Sequence, residues 1–279
     1  MRSRRSPIMQ LYAALVVVLA CLFAGCGHDQ QEKVIQPSEK PVELTLTHRA
    51  SAIAFRFPDA VQEIPLTQLE KAVSLLPADA SDSEVNYRLD LWVDRGVPNV
   101  AVAHVRQKNG NLLRQFAQLR NATIEANIDG EVVWHPKMMP LSERPVAGTK
   151  IEDAEPPSTD PVERDAQMRT IASRFAMTGT SLNLKQDSVY RYKSLQYGVT
   201  DGCVFLFMDD TPKGVLVIEA FDFGKKQGWQ YRVNRLTSPP GTISFDGKEI
   251  RSWEGFWVSP RSTSDEYVEQ KIDSVPKSG

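Results

Sequence analysis

Two nearly continuous apolar runs constrain the fold of this 279-residue chain more than any other feature. The runs CVFLFM and GVLVIEAF occupy residues 203–208 and 214–221, with a short acidic turn between them. Runs of this length without polar alternation are typical of strands that are buried on both faces. We therefore expect a strand-rich body with these two segments as central strands.

Weaker patterns predict helices and half-buried strands around these runs. Thr67 and Glu70 form a capping-box pattern that begins an amphipathic helix, and Pro77 ends it. A second helix is predicted to start in the segment 160–163, where an N-cap aspartate precedes a first-turn proline. Residues 85–94 alternate between apolar and polar, which predicts a strand with one face in water.

The two halves of the body read as copies of one pattern. The segment FAQLRNATIEANIDGEVV begins at Phe116 and aligns with VNRLTSPPGTISFDGKEI, which begins at Val233. Asp129-Gly130 then meets Asp246-Gly247, and each pair predicts a hairpin turn whose central residues have positive φ. Trp134 and Trp253 close the two segments. An internal duplication explains this likeness, and imitation between unrelated β-rich segments is the alternative.

The predicted fold class is therefore α+β and strand-rich, with two tandem modules that each contain a helix followed by an antiparallel sheet. Proline-rich and polar stretches set the predicted boundaries. The predicted segments are a signal peptide (1–25), a lipid-anchored polar tether (26–42), a first module (43–136), a linker rich in proline and acid (137–160), a second module (161–258) and a polar tail (259–279).

The N-terminal residues predict export. Three arginines lie among the first five residues, and an apolar run follows from Leu11 to Gly25. Basic charge holds the N-terminus in the cytoplasm, and the run is shorter than the roughly 20 residues that a bilayer-spanning helix needs. A cleaved signal peptide is therefore expected, and an uncleaved anchor that starts at Ile8 remains an alternative.

The end of this run resembles the lipobox of bacterial lipoproteins. Phe23-Ala24-Gly25-Cys26 places two small residues before a cysteine, which in that family receives lipid and becomes the new N-terminus. Cys21 closes a competing match, but Cys26 is preferred because polar residues suited to a tether follow it. The resemblance implies a palmitate-carrying, periplasm-facing lipoprotein, and Gly27 after the cysteine favours the outer membrane over the inner membrane.

The counts of cysteine and of charged residues argue against a disulfide-stabilised body and against a nucleic-acid-binding protein. Cys203 is the one cysteine of three that lies in the predicted body, so no intramolecular disulfide can form there. Without the three leader arginines, 35 acidic residues outweigh the remaining basic ones and give a net charge of about −5. This balance does not supply the basic patch that nucleic-acid binding requires.

Several segments of the body resemble a family of uncharacterised exported bacterial proteins. The resemblance spans residues 85–260 and is carried by LWVDRGVP, DGEVVWHP, VYRYK from Val189, DGCVFLFMDDTP from Asp201, LVIEAF from Leu216 and GWQYRVNRL from Gly228. It implies the two-part layout. It assigns no activity, cofactor or catalytic residue.

Sequence motifs for catalysis, metal binding or cofactor binding are not found, so no catalytic residue, metal ligand or cofactor is predicted. Asp209 and Asp210 follow an apolar strand, where they would either bind a cation or act as acid and base, or simply form an acidic turn.

Glu219 either titrates at a functional site or pairs with an arginine. Its candidate partners are Arg191, Arg232 and Arg235. Cys203 is expected in the core, because no histidine in the second module could activate it. The four histidines are expected as tether, surface or strand residues: His28, His48, His104 and His135.

Aromatic residues mark the most interesting surface candidate. Trp253, Phe256 and Trp257 lie within five residues and could present flat faces to a sugar or a partner protein, or pack a sheet against a helix. Trp253 is expected to be packed and Trp257 exposed.

The sequence thus predicts a cell-envelope lipoprotein that is a non-enzymatic binding or scaffold module, with an envelope protein or a glycan as its partner. The alternative is an envelope hydrolase whose site gathers scattered acids of the second module, such as Asp209.

Overall fold

The computed structural model describes residues 53–56, 70–75, 87–107, 111–128, 130–136, 148–178, 181–182, 188–222, 227–255, 264–265 and 267–272. All of them fall in the unit Leu44–Gly279. The predicted signal peptide, Cys26 and the tether up to residue 42 lie outside the described residues, as do Phe256 and Trp257. Among the described residues, no helix is long and apolar enough to cross a membrane.

Strands dominate the described chain. In the first half they are β1 (Ala54–Arg56), β2 (Glu70–Leu75), β3 (Tyr87–Asp94), β4 (Val97–Arg106), β5 (Leu112–Gln118), β6 (Glu125–Ile128) and β7 (Glu131–Trp134). In the second half they are β8 (Thr149–Ile151), β9 (Phe175–Met177), β10 (Ser181–Leu182), β11 (Tyr190–Ser194), β12 (Val199–Met208), β13 (Pro212–Asp222), β14 (Gln227–Arg235), β15 (Gly241–Phe245), β16 (Lys248–Trp253) and β17 (Tyr267–Ile272). Helix α1 spans Pro161–Ala172, and a 3-10 turn spans Leu195–Tyr197.

These strands form four antiparallel sheets. The first large sheet has the order β17-β5-β4-β3-β2, and the second large sheet has the order β10-β12-β13-β14-β8, with β11 also paired to β12. The first small sheet has the order β1-β6-β7, and the second small sheet has the order β16-β15-β9.

Three apolar layers hold the sheets together. Phe55, Phe116 and Trp134 belong to the layer between the first small sheet and the first large sheet. A central layer joins the two large sheets and includes Leu91 and Leu206. A third layer packs α1 and the second small sheet on the second large sheet. Both large sheets are therefore covered on both faces.

The central strands were predicted correctly. Residues 203–208 lie in β12 and residues 214–221 in β13, and the side chains of both runs are almost entirely buried. Alternate residues of each strand point into different layers, because Cys203 packs toward α1 whereas Val204 packs toward the first large sheet. Apolar residues on both faces explain why these segments lack alternation.

The strand predicted over residues 85–94 is present as β3, but its expected wet face is covered. Asp90 is only 6% exposed, and the ring of Trp92 lies 4.8 Å from that of Phe55 in the first small sheet. Polar residues on this face therefore lie under a second sheet. Alternation of apolar and polar residues along a strand indicates that its two faces differ. It does not indicate whether the polar face is exposed to water.

The helix predicted from Thr67 is wrong where the structure describes this segment. Residues 70–75 form β2, which pairs with β3 from Glu70 opposite Val93 to Leu75 opposite Leu89. Six residues with three apolar positions fit either period, so the pairing partner decides the structure and not the local capping pattern.

The second predicted helix is confirmed as α1. The carboxylate of Asp160 accepts a hydrogen bond from the backbone N–H of Val162 at 2.7 Å, as an N-cap does. Met168, Ile171 and Ala172 are buried on one face. Asp201 on β12 accepts hydrogen bonds from Arg164 of the helix and Arg191 of β11, so an ion-pair cluster fixes the helix on the second large sheet.

The predicted hairpin at Asp246-Gly247 is also confirmed. Asp246 has φ 49° and Gly247 has φ 74°, the left-handed pair that a type I′ turn requires. Gly130 has φ 88°, and its partner Asp129 lies outside the described residues. Arg95-Gly96, which the sequence analysis did not single out, forms the same turn between β3 and β4 with φ 49° and 81°.

The order of strands in the first half recurs in the second. The β3-β4-β5 meander and the β6-β7 hairpin match β12-β13-β14 and β15-β16. β5 and β14 match with an offset of 117 residues, since Phe116 corresponds to Val233, whereas their partners Val102 on β4 and Leu216 on β13 match with an offset of 114. With the offset of 117, Trp134 corresponds to Arg251, because Trp134 pairs with Ala126 and Arg251 pairs with Ile243. Trp134 therefore does not correspond to Trp253.

The predicted fold class is nevertheless wrong. In the described chain a helix accompanies only one of the two halves, and the halves are not separate modules. β8 follows the β6-β7 hairpin but pairs with β14, whereas β17 follows the β15-β16 hairpin but pairs with β5. β8 lies in the range expected to be a linker and β17 in the range expected to be a polar tail. Backbone pairing places both segments in the large sheets, where Ile151, Tyr267 and Val268 are buried.

This exchange of strands predicts how the chain responds to cleavage. If a protease site is inserted between Pro140 and Ala147 and cut in the folded protein, the two fragments should stay together, because β17 remains paired with β5 and the central layer remains buried. Size-exclusion chromatography should show one species of intact size, which separates only in denaturant. Two fragments that elute independently without denaturant would contradict this arrangement.

Candidate functional site

A buried cluster of polar side chains in the described chain surrounds Glu219 on β13. Glu219 is fully buried and lies on the face that packs against the first large sheet, in line with Val215 and Val217. Its carboxylate accepts hydrogen bonds from Tyr192 at 2.6 Å and from Gln230 at 2.6 Å. The guanidinium of Arg232 lies 2.5 Å away and neutralises its charge.

Strand register brings these groups together. Gly202 on β12 lies opposite Glu219 on one side and opposite Tyr192 on the other. A Cβ atom at Gly202 would lie 2.6 Å from Cζ of Tyr192, so only glycine leaves room for this ring to cross β12. β14 contributes Gln230 directly opposite Glu219, and Arg232 follows two residues later on the same face.

A half-buried group from the first large sheet extends this cluster. Arg120 follows β5, and its Cζ lies 3.8 Å from the centroid of the Tyr197 ring. The hydroxyl of Tyr197 donates a hydrogen bond to the carboxylate of Asp94, which is 6% exposed. We call the residues Glu219, Arg232, Gln230, Tyr192, Arg120, Tyr197 and Asp94 the interface cluster. It joins the two large sheets at one end of the central layer.

The electrostatics of the interface cluster favour fixed charges. Burial raises the pKa of the Tyr192 phenol well above its ordinary value, and the neighbouring Glu219 carboxylate raises it further. The pKa of Arg120 is lowered, first by burial and then by the positive charge of Arg232. A neutral phenol and two guanidiniums around carboxylates form a set of hydrogen-bond donors that recognises or compensates negative charge.

Three buried polar atoms of the interface cluster have no hydrogen-bond partner among the described residues. They are Nη1 of Arg120, Nε of Arg232 and Oδ1 of Asp94. Each carries a desolvation cost that is not offset by a hydrogen bond. The interface cluster therefore contains polar groups whose burial is only partly compensated.

The acids considered for hydrolysis are not brought together. Asp209 and Asp210 are exposed at the turn before β13, where the carboxylate of Asp209 accepts a hydrogen bond from the backbone of Thr211 at 3.0 Å. Glu219 lies seven residues beyond Pro212 along β13, a distance of roughly 23 Å at the rise of a β-strand. Asp209 thus lies in an acidic turn, which was one of the two predicted roles for this residue. Glu219 pairs with Arg232, one of its three predicted partners.

Of the predicted aromatic surface, Trp253 alone lies in the described chain. Its ring is half-buried and packs on Gly241, and its indole N–H donates to the carbonyl of Pro239 at 2.7 Å. The prediction that Trp253 is packed therefore agrees with its contacts. Phe256 and Trp257 follow it outside the described residues.

The remaining candidates lie apart from the interface cluster. Cys203 is fully buried, and burial raises the pKa of its thiol to about 11. His104 lies on the first large sheet, where burial and the charge of Arg114 lower its pKa to about 4. Nδ1 of His135 lies 3.4 Å from Glu125. In the described ranges no three His, Cys, Asp or Glu side chains are grouped as metal ligands. Cys26 lies outside these ranges.

Sequence reasoning missed Arg120, Asp94, Tyr192 and Tyr197 as members of a cluster. One local signal was available on β14, because Gln230, Arg232 and Asn234 recur at every second position of a buried strand. A strand with polar residues on one face and apolar residues on the other, when neither face meets water, must pair those polar residues internally. The partners from the first half could not be read from sequence, since they lie about a hundred residues away.

The ion pair at the centre of this cluster can be tested by stability measurements. Glu219→Leu and Arg232→Leu should each lower the free energy of unfolding by about 3–5 kcal/mol, because each leaves one buried charge unpaired. The double variant should lose less than the sum of the two, since it removes both charges. Urea denaturation measures all three.

A matched control comes from an exposed ion pair at the end of β8. Nζ of Lys150 lies 2.5 Å from Glu152, and both side chains are more than half exposed. Glu152→Gln should barely change the urea midpoint, because exposed pairs contribute little to stability. Equal losses of unfolding free energy in the Glu152 and Glu219 variants would contradict a stabilising role for the buried ion pair. Strictly additive losses in the double variant would contradict it as well.

Comparisons with known proteins give no relative, since no family model, no curated protein and no solved structure matches the chain.

Proposed function

We propose that this chain is an exported bacterial lipoprotein, held at a membrane by lipid on Cys26, whose body is a non-enzymatic binding or scaffold module of the cell envelope. The observation that carries the anchoring is the segment Phe23-Ala24-Gly25-Cys26 at the end of an apolar run that basic residues precede. Acylation supplies a membrane affinity that grows with each buried methylene group. Gly27 after the cysteine favours the outer membrane.

The architecture of the body supports the scaffold part of this proposal. Four sheets packed in layers, with strands exchanged between the halves, form a frame in which the positions of surface residues are fixed. Within the interface cluster, Glu219 is held by three donors of its own sheet, and contacts of Tyr197 with Arg120 and Asp94 join the two large sheets. Such a frame suits the presentation of a binding surface.

The binding surface that we propose lies at the C-terminal aromatic segment. Trp253 is anchored on the segment between β14 and β15 by its bond to Pro239, and Phe256 and Trp257 follow three and four residues later. Aromatic side chains suit a glycan or a partner protein, because they combine a large apolar face with a polar edge.

The anchor is tested by substituting the proposed lipidation site. Cys26→Ala should abolish incorporation of labelled palmitate and shift the protein from the membrane fraction to the soluble fraction, because the body then has no acyl chain. Cys21→Ala is the matched control and should leave both unchanged. Membrane retention of the Cys26→Ala protein would favour the uncleaved anchor, and loss of label in the Cys21→Ala protein would move the site to Cys21.

The binding surface is tested by comparing two tryptophans. Trp257→Ala should reduce co-sedimentation with isolated peptidoglycan and leave the melting temperature nearly unchanged. Trp253→Phe should lower the free energy of unfolding by about 1 kcal/mol, because the hydrogen bond to Pro239 is lost, without affecting co-sedimentation. A loss of about 3–5 kcal/mol in Trp257→Ala would instead place this residue in the core and contradict the proposed surface.

A further inference from the structure

Three basic side chains lie in one row across the first large sheet. His104 of β4 pairs with Arg88 of β3 on one side and with Arg114 of β5 on the other, and Gln270 of β17 ends the row. The row lies on the face that carries Phe116, on which the first small sheet packs. Residues paired directly across neighbouring strands have Cβ atoms about 5 Å apart, so the imidazole has a guanidinium-bearing neighbour on each side.

The second half shows that this position in the fold does not require charge. In the matching meander β12-β13-β14 the equivalent row is Cys203, Ile218 and Tyr231, paired in the same way. All three belong to the apolar layer beneath α1. The same arrangement of strands therefore accepts an apolar row, and the basic row is a property of the first half alone.

Further charged groups of the described strands surround His104. β2 contributes Lys71, which is exposed, and β4 itself carries the exposed Arg106 two residues further along the same face. β3 contributes one acid, Asp90, whose carboxylate accepts a hydrogen bond from Nε of Arg88 at 2.9 Å. Basic groups therefore outnumber the acid around the imidazole.

This surrounding keeps the imidazole neutral. Burial lowers the pKa of His104, and the positive charge of Arg114 lowers it further. The charge of Asp90 opposes this change, whereas Arg88 and Lys71 add to it, and the pKa falls to about 4 from the ordinary value of 6.5. Like charges directly opposite each other on neighbouring strands are destabilising. A proton on His104 would create that arrangement on both sides of β4.

We propose that His104 is an acid-sensitive switch of the first large sheet. In its neutral form it lies between Arg88 and Arg114 without repelling either, and β3, β4 and β5 pair stably. When it binds a proton, three positive charges lie side by side across these strands, and their repulsion opposes the pairing. The inference rests on this row and does not depend on the proposed anchor or binding surface.

The direction of the pH effect follows from the two pKa values of His104. The pKa in the folded protein lies below that of an unfolded histidine, so the unfolded chain binds the proton first as the pH falls. The free energy of unfolding therefore decreases as the pH falls from about 6.5 to about 4. Between about pH 7.5 and pH 5, this one group should raise the equilibrium constant for unfolding about 30-fold.

The experiment compares the full-length wild-type chain with His104→Gln by urea denaturation at these two pH values. Glutamine keeps a polar side chain but takes up no proton in this range. The unfolding constant of the wild type should rise about 30-fold more than that of the variant when the pH is lowered. Equal pH dependence in the two proteins would overturn the proposal.

Two further variants make the result specific. His135 follows β7 outside the row, so His135→Gln should keep the acid sensitivity of the wild type, and its loss there would contradict the assignment to His104. Arg114→Gln leaves the histidine in place and removes one neighbouring charge, so it should reduce the pH dependence. Unchanged pH dependence in Arg114→Gln would overturn the role of the row, and this variant also decides the matter if His104→Gln does not fold.

Discussion

The face-to-face packing of the two large sheets is the constraint on which the rest of this structure depends. It buries side chains such as Leu89 and Leu91 of β3 against Val204 and Leu206 of β12. Since the small sheets and α1 cover the opposite faces, both large sheets lose contact with water on either side. Every polar side chain on their inner strands must then find its partner inside the protein.

The interface cluster follows from this constraint. Glu219 would be prohibitively costly in the central layer without Arg232 and two neutral donors, and Tyr192 can reach it only because Gly202 leaves the space above β12 open. Asp94 and Arg120 of the first large sheet both contact Tyr197, and Arg120 also interacts electrostatically with Glu219 and Arg232. A polar contact of this kind fixes the relative position of two sheets more narrowly than apolar packing does, because hydrogen bonds are directional.

Local sequence predicted those parts of the fold whose causes are local. The N-cap at Asp160, the turn at Asp246-Gly247 and the buried runs of β12 and β13 all depend on neighbouring residues, and all were correct. The segment at Thr67 carried an equally clear capping pattern and forms β2 where it is described, because β3 supplies a partner that the pattern does not record. β8 and β17 lie far along the chain from their partners, so their pairing in the sheets could not be predicted from hydropathy.

For the candidate site, the ion pair of Glu219 was predicted with three candidate partners, one of which was Arg232. Its partners in the first half were not, because the contact between the two large sheets joins residues about a hundred positions apart. The predicted match of Trp134 to Trp253 was wrong for a related reason. The pairing register of the two hairpins aligns Trp134 with Arg251, although Trp253 is the nearest tryptophan.

The position of β17 in the chain also bears on how this protein reaches its folded state. Leu112 pairs with Ile272, so the first large sheet, most of which lies in the first half of the chain, is closed by one of the last described residues. During synthesis the first half has no outer strand at β5 until that residue has been added. Loop-closure entropy over such a separation must be overcome before the pairing contributes, and folds dominated by contacts of this kind fold slowly. The first large sheet is thus completed only after a six-residue strand from the second half of the chain has been synthesised.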